Sequence, residues 1–231
     1  SFNSKIIKNN FCGMYDFFET ILSPLIFVIE SFFFFLDSNF NSPILSIVFT
    51  SISISLILLP LLRLSKRYED KVEVKISFID GKLKDIPNKL SGEDRFRAIE
   101  KVYDEFDFHP IQNVLRGLSF YVVLPILMGA YLFFRKNIDA FDIEVLGLIN
   151  LSKPDNLIFG INLLPFFIFF INYLDSIFRS STLSSGKNTY LIISFFICLL
   201  IYSMPSCMTL YWLTSCIFSF IFNFFYRKKE G

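Results

Sequence analysis

Apolar residues run almost unbroken through residues 43–62, 118–135, 157–174, 189–204 and 207–226. Each run comes close to the roughly 20 residues that cross the hydrocarbon core of a bilayer as a helix. The pattern therefore predicts five membrane-spanning helices. Two runs are interrupted in a particular way, at Leu124-Pro125-Ile126-Leu127-Met128-Gly129 and at Met204-Pro205-Ser206-Cys207. A proline and small residues inside an apolar run suit lipid-embedded helices, whose freed backbone groups find partners on neighbouring helices. A sixth apolar stretch, 21–36, is shorter, contains Pro24 and Glu30, and is closed by Asp37. It is expected to be an amphipathic helix lying in the membrane interface.

The single sizeable polar stretch, 63–117, reads as a helical hairpin with arms at 64–85 and 91–108. Pro87 separates the arms, and Ser91-Gly92 caps the second, with Glu93 and Asp94 in its first turn. Val72, Ile76, Ile79 and Leu83 recur at helical spacing on one arm, and Phe96, Ile99, Tyr103 and Phe106 on the other. Two readings stay open. The two faces pack on each other, as amphipathic helices ordinarily do, or Ile76, Ile79, Phe96 and Ile99 form a docking surface for an incoming chain.

Charge orients this arrangement. Twelve lysines and arginines fall in 63–117. Arg179 and Lys187 lie in the next connection on that side, and Arg227, Lys228 and Lys229 in the tail. The alternate connections hold little beyond Lys136 and Lys153. Excess positive charge marks the cytoplasmic side, so the expected topology has the N-terminus outside and the C-terminus inside. The divisions are an N-terminal segment 1–42, a first span 43–62, a cytoplasmic hairpin 63–117, four further spans in 118–226, and a basic tail 227–231. No cleavable signal sequence is evident, since the early apolar residues are punctuated by Cys12, Gly13 and Asp16.

Composition narrows the function classes. Hydrophobic residues make up 53% of the 231, including 32 phenylalanines, more than a soluble core needs. A net charge of +1 with interleaved signs gives no basic face for DNA. His109 is the sole histidine and sits outside the spans, which removes a Ser-His pair and a two-histidine metal site. No Gly-rich phosphate loop is present, and the four cysteines form no CxxC pair. The spans as bounded above carry no ionisable group at their centres, which disfavours coupled ion transport. No catalytic residue, cofactor or metal is expected.

What the spans do carry is small polar residues. Ser46, Thr50, Ser51, Ser53 and Ser55 lie in the first, Asn162 and Asn172 in the third, and Ser215, Ser219 and Asn223 in the last. Ser51 and Ser55 share one helix face at i, i+4. Such hydroxyls either bond back to carbonyls and glue helices together, or line a wet groove at membrane depth. The groove reading selects Thr50, Ser51, Ser55 and Ser215 as its lining.

In their order and spacing these motifs make the chain similar to the YidC/Oxa/Alb family of membrane insertases over roughly residues 20–228. The match includes Asn41-Ser42-Pro43, Leu58-Leu59-Pro60-Leu61, His109-Pro110, Leu124-Pro125-Ile126 and Asn150-Leu151-Ser152-Lys153-Pro154-Asp155. Leu164-Pro165 and the run from Met204-Pro205-Ser206 to Leu210-Tyr211-Trp212 complete it. The resemblance implies an all-α integral membrane protein with a five-helix transmembrane core, a peripheral amphipathic helix and a cytoplasmic helical hairpin. It further implies a hydrophilic groove that guides client transmembrane segments into the bilayer, in a bacterial inner membrane. The groove positions fall on Ser51, Ser55 and Trp212. Nascent membrane proteins and the lipid bilayer are the implied partners, with a ribosome, a targeting factor or a translocon as candidates. One departure stands out, because bacterial members usually carry an arginine where this chain has Ser55. A neutral groove would attract acidic tails less, and it keeps open a second reading, a dedicated assembly or structural subunit of one membrane complex.

Overall fold

The computed structural model describes residues 2–87, 91–109, 112, 118–145, 147–158, 160–179 and 185–230. For 2–16, 120, 178, 179, 185–190 and 226–230 it describes the backbone alone. Lys187 and the Arg227–Lys229 side chains, which set the expected orientation, and Pro110 lie outside what is described. Helices dominate: α1 Phe2–Phe40, α2 Pro43–Lys84, α3 Gly92–Glu105, α4 Leu118–Lys136, α5 Leu164–Arg179, α6 Ser185–Ile201 and α7 Ser206–Glu230. Between α4 and α5 lie a 3-10 turn, Ile138–Phe141, and an antiparallel pair, β1 Glu144–Val145 with β2 Ile149–Asn150. The chain divides into two compact units, one of Ser1–Ile57 with Pro125–Gly231 and one of Leu58–Leu124.

Helices α2, α4, α5, α6 and α7 each fall on one of the five apolar runs, but α5 begins at Leu164 rather than at 157, because the described residues of 157–163 form turns, and it runs on to Arg179. The residues Pro43–Lys84 and Ser206–Phe225 are long and apolar enough to cross a membrane, while Leu164–Ile177 and Leu191–Ile201 are shorter apolar helices. Other boundaries differ from expectation as well. The first span and the first hairpin arm are one helix, α2, about 63 Å long for its 42 residues. Only the charge changes near Arg63. No glycine or proline follows Pro60 until Gly81, so nothing ends the helix there.

The stretch expected as a short interfacial helix at 21–36 lies in the C-terminal half of α1. Pro24 sits inside that helix without ending it, and Phe17–Phe40 is long and apolar enough to cross a membrane. The length argument that set 21–36 apart from the spans is thereby corrected. Ile26, Ile29 and Phe33 of α1 are buried, three positions at helical spacing on one face. Gly129 of α4 lets α1 approach, since a Cβ there would stand 3.2 Å from Leu25 Cδ2. α1 stops at Phe40 because Asn41 takes a left-handed φ of 48°, a conformation asparagine tolerates at helix ends.

The core of the first unit is aromatic. Phe33, Phe133, Phe134 and Phe141 meet edge to face or tilted, with centroids 5.1–6.5 Å apart, and Phe134 extends the cluster to Tyr211 at 5.8 Å. These separations are in the range where aromatic pairs gain beyond simple area burial. α5 packs on both α6 and α7. The opposite faces stay apolar and bare, with Phe27, Phe35, Phe196, Leu200 and Phe225 among the most exposed residues. Side chains of that kind on so many helices fit a lipid solvent.

In the second unit, Ile76, Ile79 and Phe108 form a small buried core, flanked by Val72, Leu83, Val102, Tyr103 and Phe106. α3 ends at Glu105, three residues earlier than expected. Asp107 turns left-handed at φ 45°, and the Phe108 amide closes back on the Tyr103 carbonyl at 2.9 Å. That turn swings Phe108 under α2. Ser91 is the N-cap as expected, but its side chain makes no capping bond.

Candidate functional site

The polar stripe on α2 is real, and its members do different things. Ser46 is buried and donates to Asp37 Oδ1 at 3.0 Å and to the Ser42 carbonyl at 2.9 Å, tying the α1–α2 corner. Ser51 is buried and donates to the Tyr211 carbonyl of α7 at 2.9 Å. For these two the helix-gluing reading holds. Thr50 is fully buried, and its hydroxyl has no hydrogen-bond partner among the described residues. A threonine can usually bond its i−4 carbonyl, so an unpaired buried hydroxyl is a polar group held at a cost of about 1–3 kcal/mol. Ser55 lies on the same face and is nearly buried.

On α7 the Ser51 bond lands next to Trp212, so the structure brings two of the residues expected to line a groove to one helix crossing. Trp212 and Ser215 are half-buried. Cys216 follows Trp212 one turn on, along the same face of α7. Further along, Asn223 Nδ2 donates to Asp175 Oδ1 of α5 at 3.3 Å. Asp175 escaped sequence reasoning because the third span was ended at residue 174; α5 in fact continues to Arg179.

The connection between α4 and α5 seals the starts of α5 and α7. Asp155 is buried, and its Oδ2 accepts from the amides of Leu163 at 2.5 Å and Leu164 at 3.3 Å, a carboxylate at a helix N-terminus. The Ser206 amide and hydroxyl both donate to the Lys153 carbonyl, at 2.8 and 2.7 Å, and the Cys207 amide to the Leu151 carbonyl at 3.0 Å. Asn162 Nδ2 donates to the Tyr202 carbonyl at 2.7 Å, closing the end of α6. Asp142 accepts from Asn150 at 2.8 Å and Ser152 at 3.1 Å. With Lys153 nearby, those two bonds hold its carboxyl below the usual value.

The hairpin candidates separate. Ile76 and Ile79 are buried in the hairpin's own core, which corrects their assignment as docking residues: the packing partner occupies the face they would offer. Phe96 is 64% exposed, and Ile99 is half-buried, so these two alone keep accessible surface. Glu69, unremarked in the sequence, is buried on α2 and accepts from the Ser119 amide at 2.7 Å, capping α4.

Residues 35–231 match the protein family described as 60Kd inner membrane protein. The chain belongs to that family. Within it, the chain is 28% identical over 188 residues to a protein named membrane protein insertase YidC from Fusobacterium nucleatum, covering 80% of this chain and 86% of that one. A solved structure described as an active YidC insertase with its first transmembrane domain resolved shares the fold at a TM-score of 0.59 and 18% identity. That likeness covers 89% of this chain and 46% of the other, so this chain spans about half the length of the solved one. Family membership and the apolar helices make it a membrane protein of the bacterial inner membrane type.

Proposed function

We propose that this chain is a membrane protein insertase, which receives apolar segments of client proteins and releases them into the bilayer. The observation that carries the reading is the buried polar pair of α2 that glues no helix, Thr50 and Ser55, with the Thr50 hydroxyl unpartnered among the described residues. It lies inside an otherwise apolar helical unit of a family with an insertase relative. Polar groups at membrane depth lower the barrier for a client's polar flank. Burial of the client's apolar segment, worth about 25 cal/mol per Å², drives the transfer. No bond chemistry and no cofactor enter.

In this reading five helices, α2, α4, α5, α6 and α7, form the spanning core around a groove open to the cytoplasm. The N-terminus lies outside and the C-terminus inside. The hairpin offers Phe96 and Ile99 to an arriving chain, and the basic tail contacts anionic lipid or ribosomal RNA. The Lys153, Asp155 and Asn162 bonds at the other ends of α5, α6 and α7 support a groove closed toward the outside.

The test is photocrosslinking to a nascent single-span client in membranes, from probes at Ser55 and Trp212 with the exposed Phe166 as a lipid-side control. Client adducts from the first two and none from Phe166 are expected. A constant partner caught from Phe96, with no client adducts at Ser55 or Trp212, would replace this reading with a dedicated assembly subunit.

A further inference from the structure

Asp175 is the twelfth residue of α5, about 16 Å along the axis from Leu164. No other Asp, Glu, Lys or Arg occurs in residues 43–57, 125–134, 164–177, 191–201 or 206–225. The only hydrogen bond its carboxylate accepts among the described residues is the one from Asn223, and no ion pair there includes it. Two carboxylate oxygens offer about four acceptor sites, so one neutral amide leaves most of that capacity open. The group is half-buried, within a stretch of α5, Leu164–Ile177, that is apolar overall. A carboxylate in such surroundings is costly unless a cation joins it.

The pair also lies on the helix face that carries Trp212. Trp212, Cys216, Ser219 and Asn223 share one face of α7 at helical spacing. Asn223 then completes a strip of polar groups along α7, about 16 Å from Trp212 to Asn223 at helical rise. We propose that Asp175, oriented by Asn223, is a specificity-determining residue that receives a cationic side chain, lysine or arginine, flanking the client's apolar segment. The inference rests on the insertase reading and deepens it by naming the client class. An ammonium from a lipid headgroup has the same chemistry. The client is the favoured source because the strip leads from Asp175 to Trp212, along the α7 face that carries the groove residues.

The test reconstitutes the full chain in vesicles of phosphatidylcholine and phosphatidylglycerol. Single-span clients carry two lysines, two glutamines or two glutamates beside the apolar segment. The expected result is a lysine-to-glutamine insertion ratio that falls about fivefold in Asp175→Asn, the scale of one partly screened ion pair. Asp175→Glu should restore the ratio, and Asp175→Lys should invert preference toward the glutamate client. A ratio unchanged in Asp175→Asn overturns the proposal, including the case where all three clients fall together as a structural role would make them. A ratio that responds to Asp175 only when phosphatidylethanolamine is added overturns it in favour of the lipid headgroup. Failure of the unsubstituted chain to insert any client sinks the insertase reading itself.

Discussion

Two polar connections of this chain are built on opposite principles. The 137–163 segment is held by directional bonds: Asp155 to the start of α5, Lys153 and Leu151 carbonyls to the start of α7, Asn162 to the end of α6. The hairpin arms are held instead by a three-residue core, Ile76, Ile79 and Phe108, with an exposed Lys82–Glu105 pair at 2.8 Å and a Lys75 bond to the Asp107 carbonyl at 2.7 Å. Directional bonds to helix ends fix position but tolerate little change of shape. A small apolar core is non-directional and opens at low free energy, which is how mobile, ligand-receiving elements are ordinarily built. The segment that would seal the groove and the segment that would greet a client differ in the way those tasks require.

The largest test of this contrast lies in the hairpin. Ile79→Ala removes one of its three buried side chains, at a cost of about 2–5 kcal/mol. Because the core is so small, that loss should melt the α3 packing as a unit. Hydrogen exchange of α3 amides should rise toward unprotected rates while amides of α5 and α7 keep their protection. Equal loss in both places would mean the hairpin is not an independent element.

The corresponding break in the other connection is Asp155→Ala. It leaves the Leu163 and Leu164 amides without their acceptor, about 1–3 kcal/mol for buried donors. The expected effect is local, with faster exchange at 163–166 and greater protease sensitivity in 137–163, while α3 is untouched. An unchanged exchange pattern would show that the carboxylate is incidental to the seal.

How much of this was legible depends on whether the signal is local. Helices α4, α6 and α7 follow directly from the apolar runs, and the Asn150–Asp155 run was visible as a motif of the resemblance, though its bonds to helix ends were not. The joining of the first span to the hairpin arm was missed because charge changes at Arg63 while helix propensity does not. The inward turn of Phe108 depends on a left-handed Asp107, which nothing in the spacing announces. Ser51 was found as a polar span residue, but its partner lies 160 residues away, beyond any periodicity. Asp175 was overlooked through a span end set one residue short. A rule that asks of every charge near a span end what it faces across the bundle would have caught it.

The mildest difference between the two connections concerns pH. Asp142 sits on the surface of the 137–163 segment, and its bonds from Asn150 and Ser152, with the Lys153 charge, hold its folded-state pKa below the ordinary 3.8. A depressed carboxyl contributes stability that is present above the unfolded-state value and is lost as pH falls through the lower folded-state value. The segment should therefore loosen slightly on acidification below pH 3.8. Full exposure keeps the effect small, since solvent and salt screen it. Proteolysis of 137–163 followed from neutral to acid pH should show a rise at the acid end that Asp142→Asn removes, because that side chain no longer titrates. If the variant keeps the same acid response, the titrating group lies elsewhere and the surface bonds of Asp142 contribute nothing to holding the segment.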